Sequence, residues 1–556
     1  MEHTLHIDEE HPRHLVRSHA HEGDIPGTVY LKAEEGDDTL KGSYGQALFP
    51  VPAEDPNDPL QWGNFKKTMI LIICSLYSFL GNSAVLGPSV YIGIYAGEFG
   101  VTASKASGLI SYPSLTYGFG SLILVPLYLK IGRRPVMLIS LIFFLVGLIA
   151  ASQCTTFNGL MAARIIHAFG SGVCEALPVQ LVNDIFFLHE RGKRIGYYTI
   201  CLCLGSTGPL YAGYMLAGGY SWRLYFYVEI AFAAALLIMA FFFVEETAYK
   251  RIPPGSARQV PIAGRSSGTG SIDTPSNEKE KDLPQEHIEY ATPEIPRRKT
   301  FLETLKPWGA IDHESQFFMT MLRPFTYYLV PAVLWVVTTY GIYIGLGALA
   351  FNYTFPLKIT AAPYNWTQTN SGLIAVASAV GYFLAAPFTF TSDRVAAYFT
   401  RKNGGLREAE MRLSVMLPAM LIAPAGLVVY GLTAEKNLHW IGYFVGVAMD
   451  QWGSYFYFSF TLAYAIDSYY SNTSEMLIAM NLGKQAISFG MGIYLLDWIL
   501  EHGFAVMISG VFMGILLANN LCLLIFMFFG KRIRTWTSKT WLAKMHKASI
   551  TQVMTH

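Results

Sequence analysis

Apolar runs of about twenty residues dominate the chain, set apart by short polar breaks and one long one. A helix needs roughly 20 residues to cross the hydrocarbon core of a bilayer, whereas a tilted β-strand needs about 10. The pattern therefore predicts transmembrane helices, at about 67–92, 106–129, 135–153, 159–182, 195–218 and 222–244, then at about 325–350, 371–391, 412–432, 439–465, 476–500 and 504–529. The expected fold is an all-α membrane protein of twelve transmembrane helices in two six-helix halves. Residues 1–65 read as a disordered tail, 66–245 as the first bundle and 246–322 as a Pro-, Ser- and Gly-rich linker. Residues 323–530 read as the second bundle and 531–556 as a basic tail.

Composition agrees with a bilayer rather than water as the main solvent. Of the 556 residues 52% are hydrophobic and 14% charged, against about 25% charged in soluble domains. Net charge is +1, and the basic residues sit in loops, which gives nucleic acid no footing. Five of the six cysteines lie within the predicted spans and Cys154 at the edge of one, which argues against a disulfide framework. His3, His6, His11, His14, His19 and His21 lack a fixed ligand spacing, so no metal site is read there, and no motif requires a cofactor. The polar first 60 residues do not suit a cleavable signal peptide.

Lys130, Arg133, Arg134, Arg191, Lys193, Arg194, the linker, Arg394–Arg412 and the tail all fall on one side. The positive-inside rule makes that side cytoplasmic, with both termini inside a multi-pass protein of the plasma membrane. Asn352 and Asn365, each in an N-x-T triplet, are then external and available for glycosylation, while Asn472 is internal.

Charge inside the spans is the first functional signal. Arg164, Ala168, Ser171, Glu175, Pro178 and Val182 recur at helical spacing. A bare charge at bilayer depth costs at least about 2.5–3.5 kcal/mol, so such residues face a cavity or a partner. Glu175 stands nine residues before Asp184, which is about 13 Å up the helix and near the midplane. It is expected to bind a proton or a cationic substrate in competition, or else to make a structural hydrogen bond as a protonated acid. Arg164 lies about 16 Å along the same helix, too far for a direct pair. Asp450, on a polar face with Tyr457, is expected as an outer site, and Asn82 on a serine-rich face of the first span as a further contact. Lys484 is expected to neutralise a carboxylate of the second half, and Glu229 to sit at the membrane interface. A gate is expected in which Arg133 or Arg134 pairs with Asp184 or Glu190, beside Arg191; plain positive-inside anchoring explains these cations but not Asp184. Gly208-Pro209 predicts a bend in the fifth span.

These strings also carry a resemblance. LKIGRRPVML between the second and third spans, Arg164, and Gly208-Pro209 resemble signatures of the major facilitator superfamily over about residues 25–536. NDIFFLHERGKRIG, VEET, REAEMRL and YAIDSY resemble fungal drug:proton antiporters, in the branch with polyamine, histidinol and cation permeases. The resemblance implies a central cavity walled by the first, fourth, seventh and tenth helices. It assigns Arg164 to a buried signature, Gly208-Pro209 to a hinge and Asp393-Arg394 to the repeat of the loop signature. Leu129, Leu204 and Ala212 depart from the residues typical of these motifs.

The function expected is proton-coupled secondary transport of a small organic molecule by a monomer that needs only protons, its substrate and the lipid bilayer. Efflux of a drug-like compound or secondary metabolite leads, with uptake of polyamines or other organic cations as the alternative and a non-transporting sensor as the other class. An enzyme would need clustered histidines or acid pairs within the spans, and a channel would need repeated rings; the sequence has neither.

Overall fold

A computed structural model describes residues 20–22, 28–31, 55–249, 297–308, 311, 316–403, 406–468 and 473–541. Among these, ten helical segments are long and apolar enough to cross a membrane. In the first half these spans are 1 (Asn64–Phe99), 2 (Ala103–Ile131), 3 (Arg133–Gln153), 4 (Phe157–Ile185), 5 (Lys193–Ala217) and 6 (Arg223–Phe243). In the second half they are 7 (Pro331–Thr360), 8 (Thr369–Phe388), 9 (Ala409–Lys436) and 12 (Ala505–Ser538). Span 10 (441–468) and span 11 (Thr473–His502) are as long but more polar. The twelve-helix expectation holds, and these two are polar because they carry Asp450, Gln451, Asn481, Lys484 and Gln485, all buried between the halves or within the second bundle. Large apolar side chains such as Ile142, Val146, Phe528 and Leu384 point outward, as a lipid-facing surface requires.

Several spans are broken, and the breaks follow the sequence. In span 4 the helix stops after Ser171 and resumes at Ala176. Pro178 has no N–H for the Cys174 carbonyl, and Ser78 Oγ of span 1 takes that carbonyl at 2.5 Å instead. Gly172 allows this stretch to press on span 2, where an added Cβ would lie 2.6 Å from the Tyr117 carbonyl. The unbroken face read from the spacing of Arg164 and Glu175 is therefore interrupted between them. Span 5 is irregular where a bend is expected: Leu188–Leu204 is followed by a tight turn, Gly205–Thr207, and by Gly208–Ala217. Pro209 releases the Gly205 carbonyl, and the Gly208 N–H accepts the role of donor to it.

Three outcomes depart from expectation. Span 7 runs from Pro331 to Thr360 rather than ending near 350, so Asn352 sits inside a helix and donates its Nδ2 to the Ala348 carbonyl at 2.7 Å. It is not a loop acceptor for glycan, whereas Asn365 is in the exposed loop beyond. The tail expected to be disordered supplies two strands, β1 (Ala20–Glu22) and β2 (Thr28–Leu31), which pair antiparallel in the order β1-β2-β3 with β3 (Leu406–Glu408) before span 9. Finally, the last helix continues into the basic tail, where Lys531 Nζ meets Glu408 at 2.5 Å and Arg534 Nε donates to Glu410 Oε1 at 2.7 Å. Most of the central linker and the histidines before Ala20 lie outside the described residues.

Candidate substrate site between the two halves

The two bundles enclose a space of about 70 Å³ reached by spans 1, 2, 4, 5, 7, 8, 10 and 11. Its wall includes Asn82, Tyr117, Glu175, Ser206, Tyr340, Tyr343, Tyr382, Gln451, Lys484 and Gln485. Tyrosine dominates, and one acid and one lysine stand among these rings. The Lys484 ammonium of span 11 pairs directly with Glu175 Oε2 of span 4, joining the two halves. The lysine side chain is 3% exposed and the glutamate 13%. Lys484 Nζ also lies 5.4 Å from the centre of the Tyr340 ring, within cation–π reach. The expectation that Lys484 neutralises an acid of the second half is thus corrected: its partner belongs to the first half. Helix interruption at 172–175 places Glu175 at the start of the following helix, where Tyr198 OH donates to its carbonyl at 3.0 Å.

Other expected residues divide. Asn82 lines the space and donates Nδ2 to the Leu202 carbonyl at 3.0 Å. Asp450 is fully buried one residue behind the wall: Gln451 lines the space and donates Nε2 to Asp450 Oδ2 at 3.1 Å, while Tyr382 donates to Gln451 Oε1. Gly347 makes room for that acid, since a Cβ there would stand 2.7 Å from Oδ2. Tyr457 packs on Tyr343 with ring centres 5.2 Å apart and does not line the space. Arg164 does not either. It donates to the Leu109, Ala84 and Val85 carbonyls at 2.5, 3.3 and 2.8 Å, holding the end of the first helix of span 1 against span 2. Glu229 is buried rather than interfacial. Tyr117, Tyr382, Gln451 and Gln485 were missed; their spacing on a helix gives no hint of which face turns to the other half.

At the basic end, Arg133 Nε stands 3.3 Å from Asp184 Oδ2. Both belong to the first half, so this pair alone cannot lock the halves. Asp184 Oδ1 accepts from Gln180 Nε2 at 3.0 Å, and Gln180 Oε1 in turn accepts from Ser474 Oγ of the second half at 3.1 Å. The connection across the gap is therefore neutral, and the ion pair orients it. Arg134 points elsewhere, donating to the Phe241 carbonyl at 2.7 Å and to that of Thr304. Arg191 closes its own turn through the Phe186 and Asn183 carbonyls at 3.1 and 2.7 Å. Glu246, which the sequence did not single out, accepts the Arg133 and Arg134 backbone N–H groups at 3.0 and 3.2 Å, an acid at a helix N-terminus. Gly132 turns the chain between spans 2 and 3 with φ 105°, a conformation suited to glycine. Asp393 and Arg394 lie on the helix Thr391–Lys402; the Asp393 side chain is outside the described residues and Arg394 is exposed.

The opposite end is also joined. Span 5 meets span 8 so closely that a Cβ on Gly213 would lie 3.1 Å from the Thr369 carbonyl. Ser111 and Tyr353 hydroxyls meet at 3.2 Å between spans 2 and 7.

The family model described as "Major Facilitator Superfamily" matches residues 71–495, which is most of the chain. The protein belongs to the major facilitator superfamily. It is a multi-pass membrane transporter of that superfamily, and it is not an enzyme. It is 23% identical to an MFS-type transporter of Schizosaccharomyces pombe over 93% of this chain and 94% of that protein. It is 23% identical to Protein HOL1 of Saccharomyces cerevisiae over 94% and 97% of the two chains. The protein named "Probable drug/proton antiporter YHK8" from the same yeast is 25% identical over 63% of this chain and 62% of its own. In fold, the facilitator resembles the proton:xylose symporter XylE bound to 6-bromo-6-deoxy-D-glucose, with TM-score 0.51 and 15% identity over 84% of this chain and 96% of that one.

Proposed function

We propose that this facilitator exports a drug-like organic cation in exchange for protons, and that Glu175 is where the two compete. The observation that carries the reading is the Glu175–Lys484 pair spanning the halves inside a tyrosine-lined space. Both charges are removed from bulk water, so each stabilises the other; separating them leaves an uncompensated charge. A proton on Glu175 ends its attraction for Lys484, and a substrate cation replaces Lys484 as the acid's partner. Either event removes the strut between the bundles, so either permits them to move, whereas an empty, ionised Glu175 holds them together. That is the logic of exchange. A drug-sized ligand needs roughly 300 Å³ or more, so the bundles part before it is seated. The similarity to a protein named as a drug/proton antiporter supports export. The basic end would face the cytoplasm of a cell bounded by the plasma membrane, with Asp184, Gln180 and Ser474 closing it.

The test is flux into proteoliposomes under an imposed pH gradient, with ethidium and spermidine as probes. Gradient-driven ethidium movement that disappears in Glu175→Gln is the expected result. Undiminished flux in that variant sinks the competition scheme. Spermidine carried down the proton gradient, in preference to ethidium, would assign polyamine uptake instead. No flux of either, with ligand-dependent changes in conformation, would mark a sensor.

A further inference from the structure

Glu229 on span 6 is fully buried and plays no part in the scheme above. Its Oε1 accepts from Ser83 Oγ of span 1 at 2.9 Å and from Tyr211 OH of span 5. Tyr225 OH donates to the Ser83 carbonyl at 2.8 Å, and its ring stacks on Tyr211 with centres 5.2 Å apart. Glu229 Oε2 has no hydrogen-bond partner among the described residues. The remaining polar groups nearby are committed elsewhere. Tyr91 OH donates to the Ala212 carbonyl at 2.9 Å, and Arg164 of span 4 holds the carbonyls of Ala84 and Val85. Span 3 also packs on span 6, but its charged side chains, Arg133 and Arg134, lie at the far end, where Arg134 meets Phe241. Glu229 is thus an acid inside the bundle whose hydrogen-bond partners are hydroxyls, with no cation paired to it among the described residues.

Ser83 connects this acid to the irregular part of span 5. Gly208, at the bend of span 5, lies so close that a Cβ would stand 2.9 Å from both the Ser83 carbonyl and its Oγ. The adjoining Pro209 carbonyl presses on Gly372 of the second half, and Asn82, the neighbour of Ser83, lines the substrate space.

We propose that Glu229 is a second proton-binding carboxyl, and that its occupancy sets how the Gly208–Pro209 bend seats against span 8 at the end opposite Arg133. As a carboxylate it accepts both hydroxyl bonds. A proton taken from water goes to the unpartnered Oε2, and Oε1, now a neutral carbonyl, accepts more weakly from Ser83 and Tyr211, so the seat under Gly208 loosens. No covalent bond is made or broken. The inference rests on the proton-coupled reading above but uses a different residue.

The experiment is a spin-label distance measurement on the full chain in lipid nanodiscs, with labels at the exposed positions Tyr220 and Thr367 in a background lacking reactive native cysteines. The wild-type distance is expected to change between acid and alkaline pH. Glu229→Gln should stay at the acid-pH distance throughout, while Glu175→Gln keeps the response despite its lost transport. Tyr211→Phe removes one of the two donors to the acid, so it should move the midpoint. A Glu229→Gln protein that retains the wild-type midpoint overturns the proposal. If that variant fails to fold, an unchanged midpoint in both Tyr211→Phe and Ser83→Ala overturns it instead. A response kept in Glu229→Gln but lost in Glu175→Gln removes Glu229 and assigns the movement to Glu175; no response in the wild type overturns the proposal, while flux in Glu175→Gln still decides the Glu175 reading.

Discussion

Glu175 and Glu229 lie in the same bundle and are satisfied in opposite ways. Glu175 faces the other half and holds a lysine across the gap; Glu229 faces its own half and holds hydroxyls. The difference teaches where a full charge is useful. A pair that straddles two moving bodies is remade and broken each time they move, so its energy acts on the motion directly. A group sealed within one body travels with it and can act only through a neighbour such as Ser83.

The strongest way to break this comparison is to remove one charge of the straddling pair. Lys484→Ala should destabilise the protein by up to about 3–5 kcal/mol, the cost of stranding a buried charge, read as a fall in the thermal midpoint in detergent. The neutral double variant Glu175→Gln with Lys484→Gln should recover much of that loss without recovering coupled transport. Equal losses in single and double variants would show that the pair contributes nothing as a pair.

The next effect sharpens the comparison at the bend. Gly372→Ala places a methyl against the Pro209 carbonyl, and overpacking of this kind costs about 1–3 kcal/mol. Because the contact lies between halves, the penalty should fall on the closed arrangement at that end, seen as a longer distance between labels at Tyr220 and Thr367. An unchanged distance would place the closure elsewhere.

A smaller effect is expected for Arg133 and Asp184, both of which are partly exposed. Exposed pairs contribute about 0.2–1 kcal/mol, and this one sits within a single half. Single reversals should slow transport by loosening Gln180 from Ser474, and the double charge swap should restore it; Gln180→Ala should slow transport without being rescued by that swap. If the swap fails while Gln180→Ala is silent, the gate reading is wrong. The smallest effect concerns the glycan. Asn365→Gln should abolish any endoglycosidase-sensitive mobility shift, and Asn352→Gln, inside its helix, should leave it unchanged.

Much of the architecture was legible because a bilayer forces backbone groups to pair within each span, leaving apolar length as a direct readout. The error at span 7 has a physical origin. Asn352, Thr354 and Lys358 resemble a loop, yet Thr354 is buried, bonding the Ala350 carbonyl at 2.7 Å and Tyr430 OH at 2.8 Å. Proline at 331 opens the helix later than the hydrophobic run begins, as proline favours a first turn. Glu229 was misplaced because proximity to a helix end suggested water; the hydroxyls that cover it come from Ser83 of span 1 and Tyr211 of span 5, 146 and 18 positions away. Span 10 was correctly read as too polar for lipid, but most of that face turns into its own bundle, and its share of the wall of the space is Gln451 and Phe458.

By itself, the amino-acid order determined the number of the spans, the irregularity at Gly208-Pro209, and the presence of an acid and a lysine where charge is costly. It could not say that Lys484 belongs to Glu175. Those residues are 309 positions apart, and their meeting depends on the rotation of two helices in different bundles, a quantity set by side-chain packing over the whole interface. Local periodicity fixes which residues share a face; only the packed bundles decide what that face meets.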